Sequence, residues 1–211
     1  TLLYGSGAIG GIVNVSDGRI PESAPDGGSA GRFELHRESV SAGTTGMFRY
    51  DAGGTHHAVH VDALQRDTRD YDIPGGVLEH SAVNTSSGAI GGSLLGEWGF
   101  LGASVSRHVG GYGIPHGAHA HDHDDGDGHD DDDGEGHEHE DDVRIGIRQT
   151  RHDLKGGLTA PFRGIETLRF AVARTAYDHA ETESGEVGTR FHADTRESRV
   201  EVVHEPLAGW R

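Results

Sequence analysis

The chain contains no cysteine, a single methionine and two tryptophans, and aromatic residues make up only 6% of its 211 residues. Without cysteine there is neither a disulfide framework nor a thiolate metal site. No stretch approaches the roughly 18 consecutive apolar residues that a membrane helix needs, so helical spanning is excluded. The mean hydropathy of -0.58 does not exclude a membrane β-barrel, whose strands alternate lipid-facing and lumen-facing residues. A start Met, a signal peptide and a lipidation signal are also missing. The sequence opens on Thr1-Leu2-Leu3-Tyr4 and stops at Trp210-Arg211 just after a turn, which reads as an internal fragment of a longer protein.

Basic residues are missing from one place in particular. Between Pro115 and Val143 there are thirteen Asp or Glu, seven His and no Lys or Arg. The net charge of -17 is therefore local, because the remainder holds 22 acids against 18 bases, a net of -4. With no basic patch suited to a phosphate backbone, nucleic acid is not an expected partner.

What the chain does have, after residue 30, is period-two alternation bounded by turn residues. Phe33 and Leu35 alternate with Arg32, Glu34 and His36, and Val59, Val61 and Ala63 with His60, Asp62 and Leu64. Leu101, Ala103 and Val105 follow the same pattern, as do Leu168, Phe170 and Val172, and Val200 with Val202. This predicts an all-β chain with one apolar face, in eight strands near 31–39, 45–52, 56–69, 86–97, 99–112, 143–160, 166–181 and 189–204. The even-numbered connections read as tight turns, at Gly53-Gly54, Gly99-Phe100, Pro161 to Gly164 and Pro206 to Gly209. The odd ones read as long, at 70–85, 113–142 and 182–188, except for a short one near Ser41 to Thr45. Short turns on one rim and long loops on the other is the pattern of an outer-membrane barrel. Trp98, Phe100, Phe162 and Trp210 near the turns, with Tyr71, Tyr112 and Tyr177 near the loops, would supply two interfacial aromatic belts.

Residues 116–142 read HGAHAHDHDDGDGHDDDDGEGHEHEDD. Imidazole and carboxylate together suit zinc, and imidazole also suits nickel and copper. His119, His121 and His123 alternate, as do His137 and His139, so an extended backbone places each set on one side. With His116 and His129 they are the candidate metal ligands of this segment. Its low-complexity, self-repelling composition predicts disorder without metal, hence modest binding at interchangeable sites. An acidic, solvated loop with incidental His, or an oxygen-ligated calcium site, are the competing readings; the interleaved His argue against a hard ion, and the spacing is not that of an EF-hand. In the strand near 166–181, Thr175, Tyr177, His179 and Glu181 share the parity opposite to Leu168, Phe170 and Val172. His179 and Glu181 could therefore meet one ion at the loop end, or be a solvated rim pair. His36 and His60 read as ordinary polar lining.

Gly5-Ser6-Gly7-Ala8-Ile9-Gly10 matches G-x-G-x-x-G, but it runs into the β-branched Ile12-Val13-Asn14-Val15 and lacks an acidic residue at the required distance, so a nucleotide site is rejected. The longer string from Leu3 to Val15 resembles the segment that closes the plug domain of TonB-dependent outer-membrane receptors. Tyr71-Asp72-Ile73-Pro74, Tyr112-Gly113-Ile114-Pro115-His116, Pro161 to Arg169, and Tyr177-Asp178-His179-Ala180-Glu181 resemble landmarks of the zinc-uptake branch, whose members carry a His-rich extracellular loop.

The resemblance implies that residues 1–16 end a plug, that 17–30 form a flexible linker, and that 31–211 are the first eight strands of a monomeric transmembrane barrel of about 22. It implies zinc or a related transition metal as cargo, outer-membrane lipid around the barrel, and coupling to TonB through parts not contained in this sequence. It also implies a role for Glu181 in the metal site, completed by groups of the plug and of later strands. No nucleophile–base pair stands out, so an enzyme is not expected. A receptor for heme or another metal chelate, and a secreted metal-buffering module, are the alternatives.

Overall fold

The computed structural model of the chain describes residues 17–115 and 142–205. The expected plug segment 1–16, the seven His of 116–141 and the turn at 206–209 lie outside the described residues. The described part is all-β. Its strands are β1 (Ser29–Arg37), β2 (Thr44–Gly53), β3 (His57–Asp67), β4 (Tyr71–Ile73), β5 (Gly76–Leu78), β6 (Val83–Gly96), β7 (Gly99–Gly113), β8 (Val143–Phe162), β9 (Ile165–Glu183) and β10 (Glu186–His204). Eight of them form one antiparallel sheet in the order β1-β2-β3-β6-β7-β8-β9-β10. These are the eight strands expected from the alternation. The small hairpin β4–β5 is additional; it folds within the connection 68–82 and is tied to the connection 38–43 by the Asp72 amide donating to the Val40 carbonyl at 2.8 Å.

One connection departs from expectation. Residues 182–188 are not a long loop, because β9 and β10 continue through them and only Ser184 and Gly185 lie between. Both take positive φ, 49° and 86°, the condition for a two-residue hairpin turn whose twist matches its flanking strands. The Glu and Thr residues around Ser184-Gly185 pair in the ladder, since polarity does not terminate a paired strand.

Residues 17–24 cross one face of the sheet and so define a covered face and an open one. Ile20 is buried there, Arg19 pairs with Asp62 at 3.1 Å, and Glu22 pairs with Lys155 and, at 3.8 Å, with Arg169. The segment expected to be a flexible linker is thus fixed to the sheet over its first half. Glycines make room for it: a Cβ on Gly91 would run into the Arg19 carbonyl oxygen, and one on Gly102 would lie 2.5 Å from Ile20 Cγ2.

The two faces are sorted in the inverse of a water-soluble sheet. Among the described residues the buried apolar side chains are few and mostly small, namely Ile20, Ala58, Ala89, Phe100, Ile145 and Ala173. Most of the large ones on the strands are exposed on the open face, with Phe33 at 71% and Val200 at 69%, although Phe191 is exposed with the opposite parity. Directly paired residues share a face, so the register traces how this apolar surface runs. The row that starts at Phe33 continues through Phe48, Ala63, Gly88, Arg107, Thr150 and Ala176 to Asp194. It begins aromatic and ends charged. On the open face of β10 the apolar residues are Val200 and Val202, whereas the rows of Phe33 and Leu35 arrive at Asp194 and His192, eight residues earlier. The apolar band therefore crosses the strands obliquely. Eight residues at roughly 3.4 Å, against seven interstrand steps of roughly 4.8 Å, correspond to an inclination of about 39°.

Of the aromatics expected in two belts, Trp210 lies outside the described residues and the others divide between the faces. Trp98 and Phe162 are exposed at the short turns, but Phe100 is buried on the covered face, where Lys155 Nζ lies 5.9 Å from its ring centre. Tyr112 and Tyr177 also take the covered-face parity, being in register with Ile145 and with Gln149 and Ala193 respectively. Proximity to a strand end says nothing about which side a ring faces.

If residues 17–22 are seated as described, Gly91→Leu should lift them off while leaving the strands paired. Trypsin cleavage after Arg19 should then accelerate with no loss of the β signal in circular dichroism. Gly46→Leu, where a Cβ meets nothing within 4 Å, serves as control. An unchanged cleavage rate in Gly91→Leu would contradict the seating.

Candidate functional site

The covered face carries a polar network in which His60 is central. The ring is 1% exposed, with Nδ1 2.7 Å from Asp51 Oδ1 and Nε2 2.9 Å from Asp62 Oδ2. Each ring nitrogen thus faces a carboxylate oxygen, and the imidazole bridges the two aspartates. Asp62 passes the network on to Arg19, and Asp51 to Arg49 at 2.8 Å. Expected as ordinary polar lining, His60 does lie on the covered face, where its aspartate partners form a clamp under the crossing segment. Both ring nitrogens are occupied on opposite sides, which leaves neither free for a metal.

Further along the covered face, Arg151 pairs with Asp153 at 2.9 Å and with Glu197 at 3.3 Å. A cavity beside the crossing segment is lined by Asp17, Glu22, Ser104, Arg151, Asp153 and Glu197 among others.

His179 and Glu181 lie on β9 toward the long connections, with the covered-face parity expected for them. His179 is in register with Ile147 and Phe191, and Glu181 with Ile145 and Thr189. Tyr177 supports the imidazole edge-on, with its hydroxyl 3.4 Å from His179 Nδ1, and packs against Phe191 at 6.2 Å. Two residues apart on one strand, His179 and Glu181 sit about 7 Å from each other along the backbone, within reach of a shared ion. They supply two ligands where zinc takes four, and among the described residues no three His, Asp or Glu converge to hold a metal. Any metal centre here must draw further ligands from elsewhere.

The seven His of the acidic segment lie outside the described residues, but the base from which the segment springs is described. The Ile114 amide donates to the Val143 carbonyl at 3.0 Å, and the Ser184 amide to the Asp142 carbonyl at 3.2 Å. His80, from the connection 68–82, places Nδ1 2.9 Å from Asp142 Oδ1, and Arg144 Nε lies 3.0 Å from the other oxygen. The hydrogen bond from Arg144, with charge and hydrogen bonding from His80 behind it, holds the Asp142 carboxyl below its ordinary range, although desolvation opposes the shift. Sequence reasoning missed His80, since only the tertiary fold brings it across 62 positions to Asp142.

No model of a known protein family matches the chain.

Replacing His60 with Gln should destabilise the fold by about 2 kcal/mol, because an amide donates at one end only and leaves one carboxylate facing an acceptor. Denaturant unfolding in detergent would measure the loss. The His60→Gln, Asp51→Asn double variant, which removes that conflict, should recover part of it; equal stability of His60→Gln and the parent would exclude the clamp.

Proposed function

We propose that the chain is part of a TonB-dependent outer-membrane receptor, and that its His/Asp-rich segment captures zinc or a related transition metal for uptake. The observation that carries this reading is the placement of seven His and thirteen carboxylates on one connection of a sheet whose open face is an oblique apolar band. The inclination of about 39° agrees with the tilt of roughly 35–45° found in membrane barrels. The connections sort accordingly. At one end they are 54–56, 97–98 and 163–164; at the other they are 38–43, 68–82, 114–142 and the tight 184–185. The second end would face outward, with β1 and β10 pairing onward into a barrel of about 22 strands and the covered face becoming its lumen. The string from Leu3 to Val15, with its resemblance to a plug terminus, immediately precedes the segment that crosses that face.

Mechanistically, the acidic segment raises the local concentration of cations, and its imidazoles select borderline-soft ions over calcium. His179 and Glu181, below it on the lumen side, take the ion next, in a site completed by groups of the plug and later strands. Tyr177 would orient the His179 ring for this step. Energy from TonB then moves the plug.

Proton competition tests the capture step. Free imidazole titrates near pH 6.5 and the carboxylates near pH 4, so two or three ligating His should cost zinc on the order of 100- to 1000-fold in affinity between about pH 7.5 and pH 5.5. Calcium, held by oxygen, should change little. Titration calorimetry of the receptor with each ion at both pH values distinguishes the cases, and zinc binding that is insensitive to pH would exclude the imidazoles as ligands. For the transfer step, Glu181→Ala with His179→Ala should slow metal-dependent growth even though the acidic segment is intact. Undiminished growth would leave the pair a solvated rim.

A further inference from the structure

We propose that the turn end of the covered face carries a second, weaker station for the transported divalent ion, formed by His56 and Glu97 in a cavity beneath the crossing segment. This rests on the receptor reading above and adds the far end of the path to it. Two of the tight connections meet there. The Leu95 amide donates to the His56 carbonyl at 2.8 Å, which ties the connection 54–56 to the strand end before 97–98, and the Thr159 amide donates to the Trp98 carbonyl at 2.9 Å. Residues 22–24 bound one side of a cavity of about 730 Å³ at this corner, lined by Glu22, Thr55, His56, Glu97, Phe100 and Arg169 among others.

Most charged side chains around the crossing segment are paired with one another. His60 stands between Asp51 and Asp62, Arg151 between Asp153 and Glu197, and Glu22 faces Lys155 and, at 3.8 Å, Arg169. His56 and Glu97 differ, because neither side chain forms a hydrogen bond or an ion pair among the described residues. Glu22 is answered by its two bases, so Glu97 remains the uncompensated charge of the cavity, and it favours a cation. The imidazole in the same cavity makes that cation a borderline-soft one, since a carboxylate and an imidazole together suit zinc or nickel.

Position assigns the pair its role. His179 and Thr167, which lines the cavity, share the covered-face parity of β9 and lie twelve residues apart. Twelve residues at roughly 3.4 Å, taken at the inclination of about 39°, rise about 32 Å along the barrel axis, close to a hydrocarbon thickness of about 30 Å. A histidine and a glutamate thus stand at each end of one polar face, on the two sides of the proposed membrane. At the turn end, two protein ligands leave the other places of a four-coordinate zinc to water, which agrees with the absence of three converging His, Asp or Glu among the described residues. A hydrated station of this kind suits the exit of a path, because an ion that is bound too well does not leave.

A fluorophore attached at Thr167→Cys in the full-length receptor reports the station through quenching by nickel. The effect is short in range, and an ion at His179, about 32 Å away, lies beyond it. Nickel should quench this label. His56→Ala with Glu97→Gln should raise the half-quenching concentration on the order of tenfold or more, whereas Glu97→His, which keeps a ligand, should not. Energised uptake of radioactive zinc by cells should fall several-fold in the double variant, while zinc bound without energy stays the same. An unquenched label in the parent, or equal quenching in the double variant, would overturn the site. Quenching that is lost while uptake is undiminished would leave an adventitious cation site and overturn the transit role. A parent receptor that takes up no zinc would sink the receptor reading, whereas parental uptake that the double variant matches sinks only this inference.

Discussion

In-register backbone pairing assigns every side chain of this chain to a face. Where strands run antiparallel without a bulge, as from β1 to β9 over most of their length, a residue's parity decides whether it meets the crossing segment 17–24 or the open side. A shift of one residue anywhere would exchange the two faces entirely. The polar clamp, the apolar band and the shared parity of His179 and Glu181 all depend on that register. They are three readings of a single ladder.

The covered face shows how such a sheet holds polar groups together without an apolar core. His60 stands between two aspartates, Asp62 reaches Arg19, and Glu22 reaches Lys155. These contacts fix the segment leading out of the proposed plug to the wall of the proposed lumen, while Gly91 and Gly102 let its backbone approach. The result is a surface on which paired charges, and not an apolar core, hold the crossing segment in place. On the opposite face the same ladder presents Phe33, Ile90, Leu101 and Val200 outward, which in water would be a liability and in lipid is the stabilising contact.

The strands were legible in the sequence because alternation is a local signal, and all eight appear with their ends shifted by only a few residues. The parity of His179 and Glu181 was legible for the same reason. Three features were not. The turn at Ser184-Gly185 hides in polar sequence, since Glu and Thr pair in a ladder as well as apolar residues do when one side is wet. The inward rings of Phe100 and Tyr112 depend on register, not on distance from a turn. The contacts of His60 and of His80 with Asp142 join residues 9 and 62 positions apart, and no periodicity carries that information.

The oblique band is the feature on which the membrane reading stands, and the absence of native cysteine makes it directly measurable. Single variants F33C, V200C, D194C and S104C, each carrying an environment-sensitive fluorophore, can be reconstituted in vesicles whose lipids bear a quencher near the bilayer centre. If the band follows the bilayer, the labels at 33 and 200 are quenched alike although they lie on opposite flanks of the sheet and in different rows. The label at 194, in the same row as 33, and the one at 104, on the covered face, are not quenched. Quenching that followed the rows, with 33 and 194 behaving alike, or no quenching at 33 and 200, would contradict the account.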